Sequence, residues 1–183
     1  MKNGGILGYD LNEKTCQISY YDTAKDEPQT LETASGTSQI PLVLGYFKDH
    51  WIYGREAKRL QIAGAENTVG DLLGKAMRRE KAKIAGKVYD GVWLLAKFIR
   101  MTLEPFEEIE EITFSVPEVD VDTSKLLKSI GQHLGIDKTG SACRITKKVS
   151  ASICSISQKN CGSMNPPCFS AMDSGSGPIC STS

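Results

Sequence analysis

From Ile6 to Tyr21, apolar and polar side chains take turns on either side of a short polar interruption. Ile6-Leu-Gly-Tyr9 comes first, then Cys16, Ile18 and Tyr20 interleaved with Gln17, Ser19 and Tyr21. A period of two places alternate side chains on opposite faces of an extended chain, so this segment is restricted to two strands joined by a tight turn, with one face buried. Such a face has to be covered. The segment from Tyr89 to Leu103 supplies a cover, because Val92, Leu95, Ala96, Ile99 and Leu103 form one stripe on a helix that Pro105 stops.

The rest of the first 140 residues adds strands and shorter helices. Residues 22–39 are polar and rich in Thr, Ser, Glu and Gly, which predicts a connection with one weak strand. Pro41 to Phe47 and Trp51 to Tyr53 predict two short strands around a Lys48-Asp49-His50 turn. A helix begins at Gly54 with Ala57, Leu60 and Ile62 on one stripe, and a second short helix is predicted over Val69 to Met77. Ile112, Phe114 and Val116 alternate with Thr113 and Ser115 in a strand that ends at Pro117. Asp122 or Thr123 then caps a helix carrying Leu127, Ile130 and Leu134, with Gly135 as its C-cap. This order predicts a mixed α/β domain with helices packed on a sheet. A chain of 183 residues with 40% apolar content is long enough to bury its own core.

Acidic and basic side chains balance at 22 each, so no whole-chain field favours nucleic acid or an anionic membrane. The N-terminus has no apolar run of the signal-peptide kind, and no stretch of about 18 apolar residues follows, so a cytoplasmic location is expected. Charge is nevertheless uneven locally. Lys75, Arg78, Arg79, Lys81, Lys83 and Lys87 form a basic run with Glu80 as its only acid, whereas residues 104–122 hold acids and no base. A solvated helix or loop is the ordinary meaning of the basic run, and a phosphate- or partner-facing patch is the sharper one. His50 and His133 lie far apart without a nearby nucleophile and read as a turn residue and a surface helix residue.

Residues 141–183 depart from the pattern. They hold eleven Ser, three Pro and five of the six cysteines, with no sustained apolar period. Two readings stay open, a disordered Ser- and Cys-rich tail and the product of a changed reading frame. Neither a close Cys pair for zinc nor a secretion signal for a disulfide framework accompanies these cysteines.

The strand-turn-strand Ile6-Leu-Gly-Tyr-Asp10-Leu-Asn-Glu-Lys-Thr-Cys-Gln-Ile-Ser19 resembles the first phosphate motif of the actin-like ATPase superfamily, in the form G-I-D-L-G-T-T-x-S-x-V-A found in DnaK-type chaperones. The resemblance continues in order. Ile40-Pro41 and Gly54-Arg-Glu-Ala57-Lys58 look like the family's I-P-S-x-V and G-x-x-A-K steps. Asn67-Thr68-Val69 with Leu72-Leu73-Gly74-Lys75 looks like a shortened N-T-V-x-D-x-K-R-L-I-G-R, and Ile112-Thr-Phe-Ser-Val116-Pro117 looks like its V-I-T-V-P-A strand.

The resemblance covers about 140 residues and implies a ribonuclease-H-like lobe, incomplete because the second phosphate motif and the adenosine motif are missing. Asp173-Ser-Gly175-Ser-Gly177 has the spacing of the second phosphate motif but follows Asn165-Pro166-Pro167 rather than a buried strand, and reads as a linker. The resemblance also implies a nucleotide site at Asp10, Leu11, Asn12, Glu13, Lys14 and Thr15, with ATP and Mg2+ as cofactors and Asp10 acting on the metal through water. Asn12 replaces the usual Gly, Glu13 and Lys14 replace a Thr pair, and the family's catalytic Lys has no counterpart where Asp71 stands. No catalytic residue is therefore assigned. The expected function is a DnaK-like lobe that binds ATP weakly at most and does not hydrolyse it alone. The alternative is a non-enzymatic module that contacts protein partners through the charged runs or the Trp93 to Phe98 region. Self-association is expected of a lobe lacking its later strands.

Overall fold

The alternation at the start of the chain is realised as β1 (Lys2–Leu11) and β2 (Thr15–Asp22), an antiparallel pair with Leu7 opposite Tyr20 and Leu11 opposite Cys16. The structure, a computed structural model, describes residues 2–33, 36–135 and 142–147, with side chains over 5–33, 36–107 and 109–135. The chain divides into two units, Met1–Lys148 and Val149–Ser183, and everything described below belongs to the first. The readings of Asp173 to Gly177, and of the cysteines from Cys154 onward, lie outside the described residues.

The main sheet is mixed. β3 (Glu27–Thr30) and β4 (Ile40–Pro41) both pair antiparallel with β2. On the other side β1 runs parallel to β10 (Phe106–Val116), and β10 runs parallel to β11 (Ala142–Lys147). The five-strand path is β11-β10-β1-β2-β3, with β4 beside β2. Strand β11 lies past residue 140, inside the segment read from sequence as tail. α4 (Val121–Leu134) connects β10 to β11, since parallel neighbours need a crossover. The fold is thus an α/β one, with helices packed on a mixed sheet.

Leu7, Tyr9 and Leu11, with Cys16, Ile18 and Tyr20 and with Ile112, Phe114 and Val116, put every second residue of β1, β2 and β10 into the core. Against this face lies α3 (Gly91–Leu103), whose N-cap Asp90 accepts the Val92 N–H at 2.8 Å. The predicted stripe is buried at Leu95, Ala96, Ile99 and Leu103, but Leu94, Phe98, Met101 and Thr102 are buried too. One stripe is not enough because α3 also meets α2 (Leu72–Met77), α4 and the small elements before it. A three-stranded sheet of β5 (Leu44–Phe47), β6 (His50–Tyr53) and β7 (Thr68–Val69) reaches α3 through Trp51 on Trp93 and Tyr53 on Phe98, and α1 (Gly54–Ile62) closes a small cluster of Val43, Ile52 and Ala57.

Three local expectations need correction. The basic run is neither helix nor loop after Glu80 but a hairpin, β8 (Lys81–Ile84) and β9 (Lys87–Asp90). Its two-residue turn has Ala85 at φ 49° and Gly86 at φ 77°, the doubly left-handed turn whose twist suits a hairpin. β10 begins at Phe106 rather than near Ile112, because its pairing with β1 runs from Lys2↔Phe106 onward and holds acidic residues in strand. The cap of α4 is Asp120, not Asp122 or Thr123. Its backbone is extended and its carboxylate accepts the Thr123 N–H at 2.6 Å, which holds its pKa below the usual carboxylate range. Gly135, at φ 77°, ends the helix as expected.

One polar chain is sealed in the core. Tyr9 Oη donates to Cys16 Sγ at 3.3 Å and lies 2.9 Å from Thr102 Oγ1, and Thr102 donates to the Ile99 carbonyl at 2.7 Å. These contacts satisfy groups that would otherwise be buried without partners. Burial pushes the Cys16 thiol up to about 12, the hydrogen bond from Tyr9 pulls it partly back, and the Asp10 charge raises it again. An unfolded thiol ionises near pH 8.5. Above that pH the unfolded chain loses the proton and the folded chain keeps it, so stability is fully present below about pH 8.5 and falls as pH rises toward 12. Denaturant melts should lose stability ever more steeply above pH 8.5 from this group, approaching about 1.4 kcal/mol per pH unit near pH 10. Cys16→Ala should flatten that slope, and an unchanged slope would show that the thiol is not the group responsible.

Candidate functional site

The turn from Asn12 to Lys14 leaves β1 at its carboxyl end, where the parallel strand β10 also ends, at Val116 and Pro117. Ligands of open α/β sheets bind beyond the carboxyl ends of the strands. Two hollows lie there. One, of about 440 Å3, is lined by Glu13 from the turn, by Asp71, Leu73, Gly74 and Met77 from α2 and its cap, and by Val116 to Glu118 and Asp120 beyond β10. The other, of about 690 Å3, is lined by Glu13, Lys14 and Thr15, by Pro41 to Val43, by Lys58 and Gln61 of α1, and by Gly70 and Asp71. Glu13 and Asp71 belong to both.

The turn is held by the backbone. Asn12 N–H donates to the Thr15 carbonyl at 2.9 Å, and Leu42 N–H donates to the Lys14 carbonyl at 2.8 Å, which ties the turn to the segment after β4. Asp71 is strained, a non-glycine residue at φ 52° where α2 begins. It does not cap α2 with its side chain. Instead its carboxylate accepts from Arg78 at 2.6 Å, across the helix surface at Gly74, where a Cβ would collide with both partners. Arg78 also donates to Glu80 at 2.6 Å, and Lys75 reaches Glu80 at 3.1 Å. These two cations hold the Glu80 carboxyl down to about 2, with the Arg78 hydrogen bond the larger cause. They are thereby committed to acids of this chain.

The six residues assigned from sequence separate into three groups. Glu13, Lys14 and Thr15 line the hollows. Asp10 and Asn12 are half-buried, Asp10 on the face of β1 away from the core and opposite Gln17 and Ser115. Leu11 is fully buried in the core, so only its backbone could face a ligand. Asp71, Arg78, Glu118 and Asp120 complete the surroundings and were not legible as a group, since they come from two segments brought together only by folding. Carboxylates at Glu13, Asp71, Glu118 and Asp120 suit a hard cation better than a polyphosphate. Among the described residues no three His, Cys, Asp or Glu side chains converge as a metal cage. His50 and His133 are exposed and each bonds a backbone carbonyl, of Lys48 and Ser129 respectively, in a turn and on a helix surface. Among the described residues no helix is long and apolar enough to cross a membrane.

Fold and hollows together define an α/β domain with a mixed sheet whose strand ends open on a charged, acid-rich cleft. The family described as "Family of unknown function (DUF5716) C-terminal" matches residues 27–157, more than half of the chain, and the chain belongs to that family. The match starts at the first residue of β3 and leaves the β1–β2 hairpin outside it.

Proposed function

We propose that this chain is a DnaK-like lobe of the actin-like, ribonuclease-H-like kind, one that binds Mg2+-ATP weakly at most through the β1–β2 turn and does not hydrolyse it alone. The observation that carries the reading is the position of that turn at the end of the central strand, with β10 parallel beside β1 and β2 antiparallel on its other side, beneath the two hollows. Weakness follows from the charges. Glu13 would stand where a phosphate approaches, and Arg78, the nearest guanidinium lining the smaller hollow, is already paired with Asp71 and Glu80. When bound, ATP would supply a transferable phosphoryl group. The chain's own part is limited to backbone N–H groups of the turn and Asp10. The Glu13 charge and the pairing of Arg78 also favour a second reading, a protein-interaction module that keeps the fold without nucleotide.

Calorimetry with Mg2+-ATP tests the choice. The expected result is a dissociation constant no tighter than about 0.1 mM, heat that disappears in Asp10→Ala, and phosphate release indistinguishable from a control without protein. Glu13→Thr removes the opposing carboxylate and should tighten binding about ten-fold. Asp10-dependent phosphate release by the purified chain would sink the hydrolysis claim. No heat at millimolar ATP from either the chain or Glu13→Thr would leave the second reading standing.

A further inference from the structure

Away from the strand-end hollows, and sharing no lining residue with them, four aromatic rings from four elements come together. Tyr46 and Trp51 are cross-strand partners on β5 and β6 with ring centres 5.5 Å apart. Trp51 meets Tyr89 of β9 at 5.4 Å and Trp93 of α3 at 5.7 Å, and Tyr89 stacks on Trp93 at 4.7 Å. The cluster reaches solvent. Trp93 is 37% exposed.

The cations around it are uncommitted. Lys87 stands two residues before Tyr89 on the same face of β9, and Lys97 follows Trp93 by one helical turn. Neither is in an ion pair among the described residues, whereas Lys75 and Arg78 of the same basic run are spent on Glu80 and Asp71. Asp90, the acid that ends β9, caps α3.

We infer that this ring cluster and its lysines form a docking surface for an acidic, apolar-anchored segment of a partner protein. Charge complementarity selects the occupant, since unpaired lysines rim an apolar centre, the usual layout of a protein interface. The ring geometry points the same way. Ring edges carry the positive end of the aromatic quadrupole and favour carboxylates. Stacking of single-stranded bases needs free ring faces, and here Tyr89 and Trp93 each cover one face of the other. The inference is independent of the nucleotide reading, and its test is run without nucleotide.

Both tryptophans of the chain lie in the cluster, so intrinsic emission reports on this surface and nowhere else. The full chain is titrated with a short synthetic peptide of Glu, Asp, Leu and Phe, lacking Trp and Tyr. Counterparts with Lys or Gln in place of the acids, and a single-stranded oligonucleotide, are titrated alongside. The expected result is a saturable change in emission with the acidic peptide alone, weakening several-fold as salt rises from about 0.05 M to about 0.3 M. The combined Lys87→Glu and Lys97→Glu variant should bind at least about ten-fold more weakly, with an unchanged circular dichroism spectrum and melt. These exposed or half-exposed positions keep the test valid should Trp93→Ala fail to fold. No saturable signal, equal binding of the Gln peptide, or tighter binding of the oligonucleotide would overturn the proposal. So would an emission change on raising protein concentration alone that the charge variant abolishes, because the occupant would then be a second copy of the chain.

Discussion

Replacing Gly91 with alanine is expected to destabilise the fold by about 3 kcal/mol, although the same change inside most helices stabilises them by about 0.5–1 kcal/mol. Gly91 is the first residue of α3 and is buried against α2. A Cβ there would lie 2.5 Å from the Lys75 carbonyl oxygen, 2.6 Å from its carbonyl carbon and 2.9 Å from the Ala76 nitrogen. All three are backbone atoms, so no rotamer change relieves the contact. The two helices must separate, and Gly91 N–H, which donates to the Glu80 carbonyl at 2.8 Å, must move with them. Because the helix-propensity effect and the steric effect have opposite signs, the sign alone decides. Urea unfolding followed by tryptophan emission measures it, and an unchanged or raised midpoint would mean that α2 and α3 do not approach this closely.

Phe114→Ala should be the most damaging truncation in the sheet, at about 3–5 kcal/mol. Phe114 is fully buried in β10, with its ring centre 5.5 Å from that of Tyr9 on the adjacent parallel strand. Its removal leaves a void at the centre of the core and loosens the ring that positions the Tyr9 hydroxyl between Cys16 and Thr102. Since domains of this size are stable by about 5–15 kcal/mol, the variant should populate unfolded chain at modest denaturant. Phe114→Leu keeps most of the volume and should cost about 1.5 kcal/mol. A loss below about 1 kcal/mol for Phe114→Ala would show that β10 is not a central strand.

What could be read in advance follows from where burial alone writes the pattern. β1, β2, the second half of β10 and the inner stripe of α3 each bury one face, so period two or period 3.6 marks them. The first half of β10 carries Glu107, Glu108, Glu110 and Glu111, and pairing with β1 holds it extended against what composition suggests. The lysine-rich hairpin escaped for a similar reason. Only Ile84 and the half-buried Ala82 and Tyr89 mark its inner face, and Ala85-Gly86 is a faint turn signal. Of the cleft, the β1–β2 turn was legible because it is contiguous. Asp71 and Arg78 were not, since their pairing depends on a left-handed residue and a bare Gly74 that no periodicity announces. Leu11 shows the opposite failure, a residue assigned to the site by motif position whose side chain the strand alternation had already committed to the core.

The pairing of Lys2 with Phe106, at the start of the β1–β10 ladder, has a consequence for how this chain is made. β1 has its parallel partner near the far end of the described body, and β10 in turn has β11 as its outer neighbour. Until residues 106–116 have been synthesised, the β1–β2 hairpin shows a bare edge to its surroundings. Contacts this distant in sequence are slow to close, and the nascent chain is most open to mispairing during that interval. The short helices and hairpins from α1 to β9 can form locally during the wait, but the main sheet nucleates late, so this fold should lean on chaperones during synthesis more than its size alone would suggest.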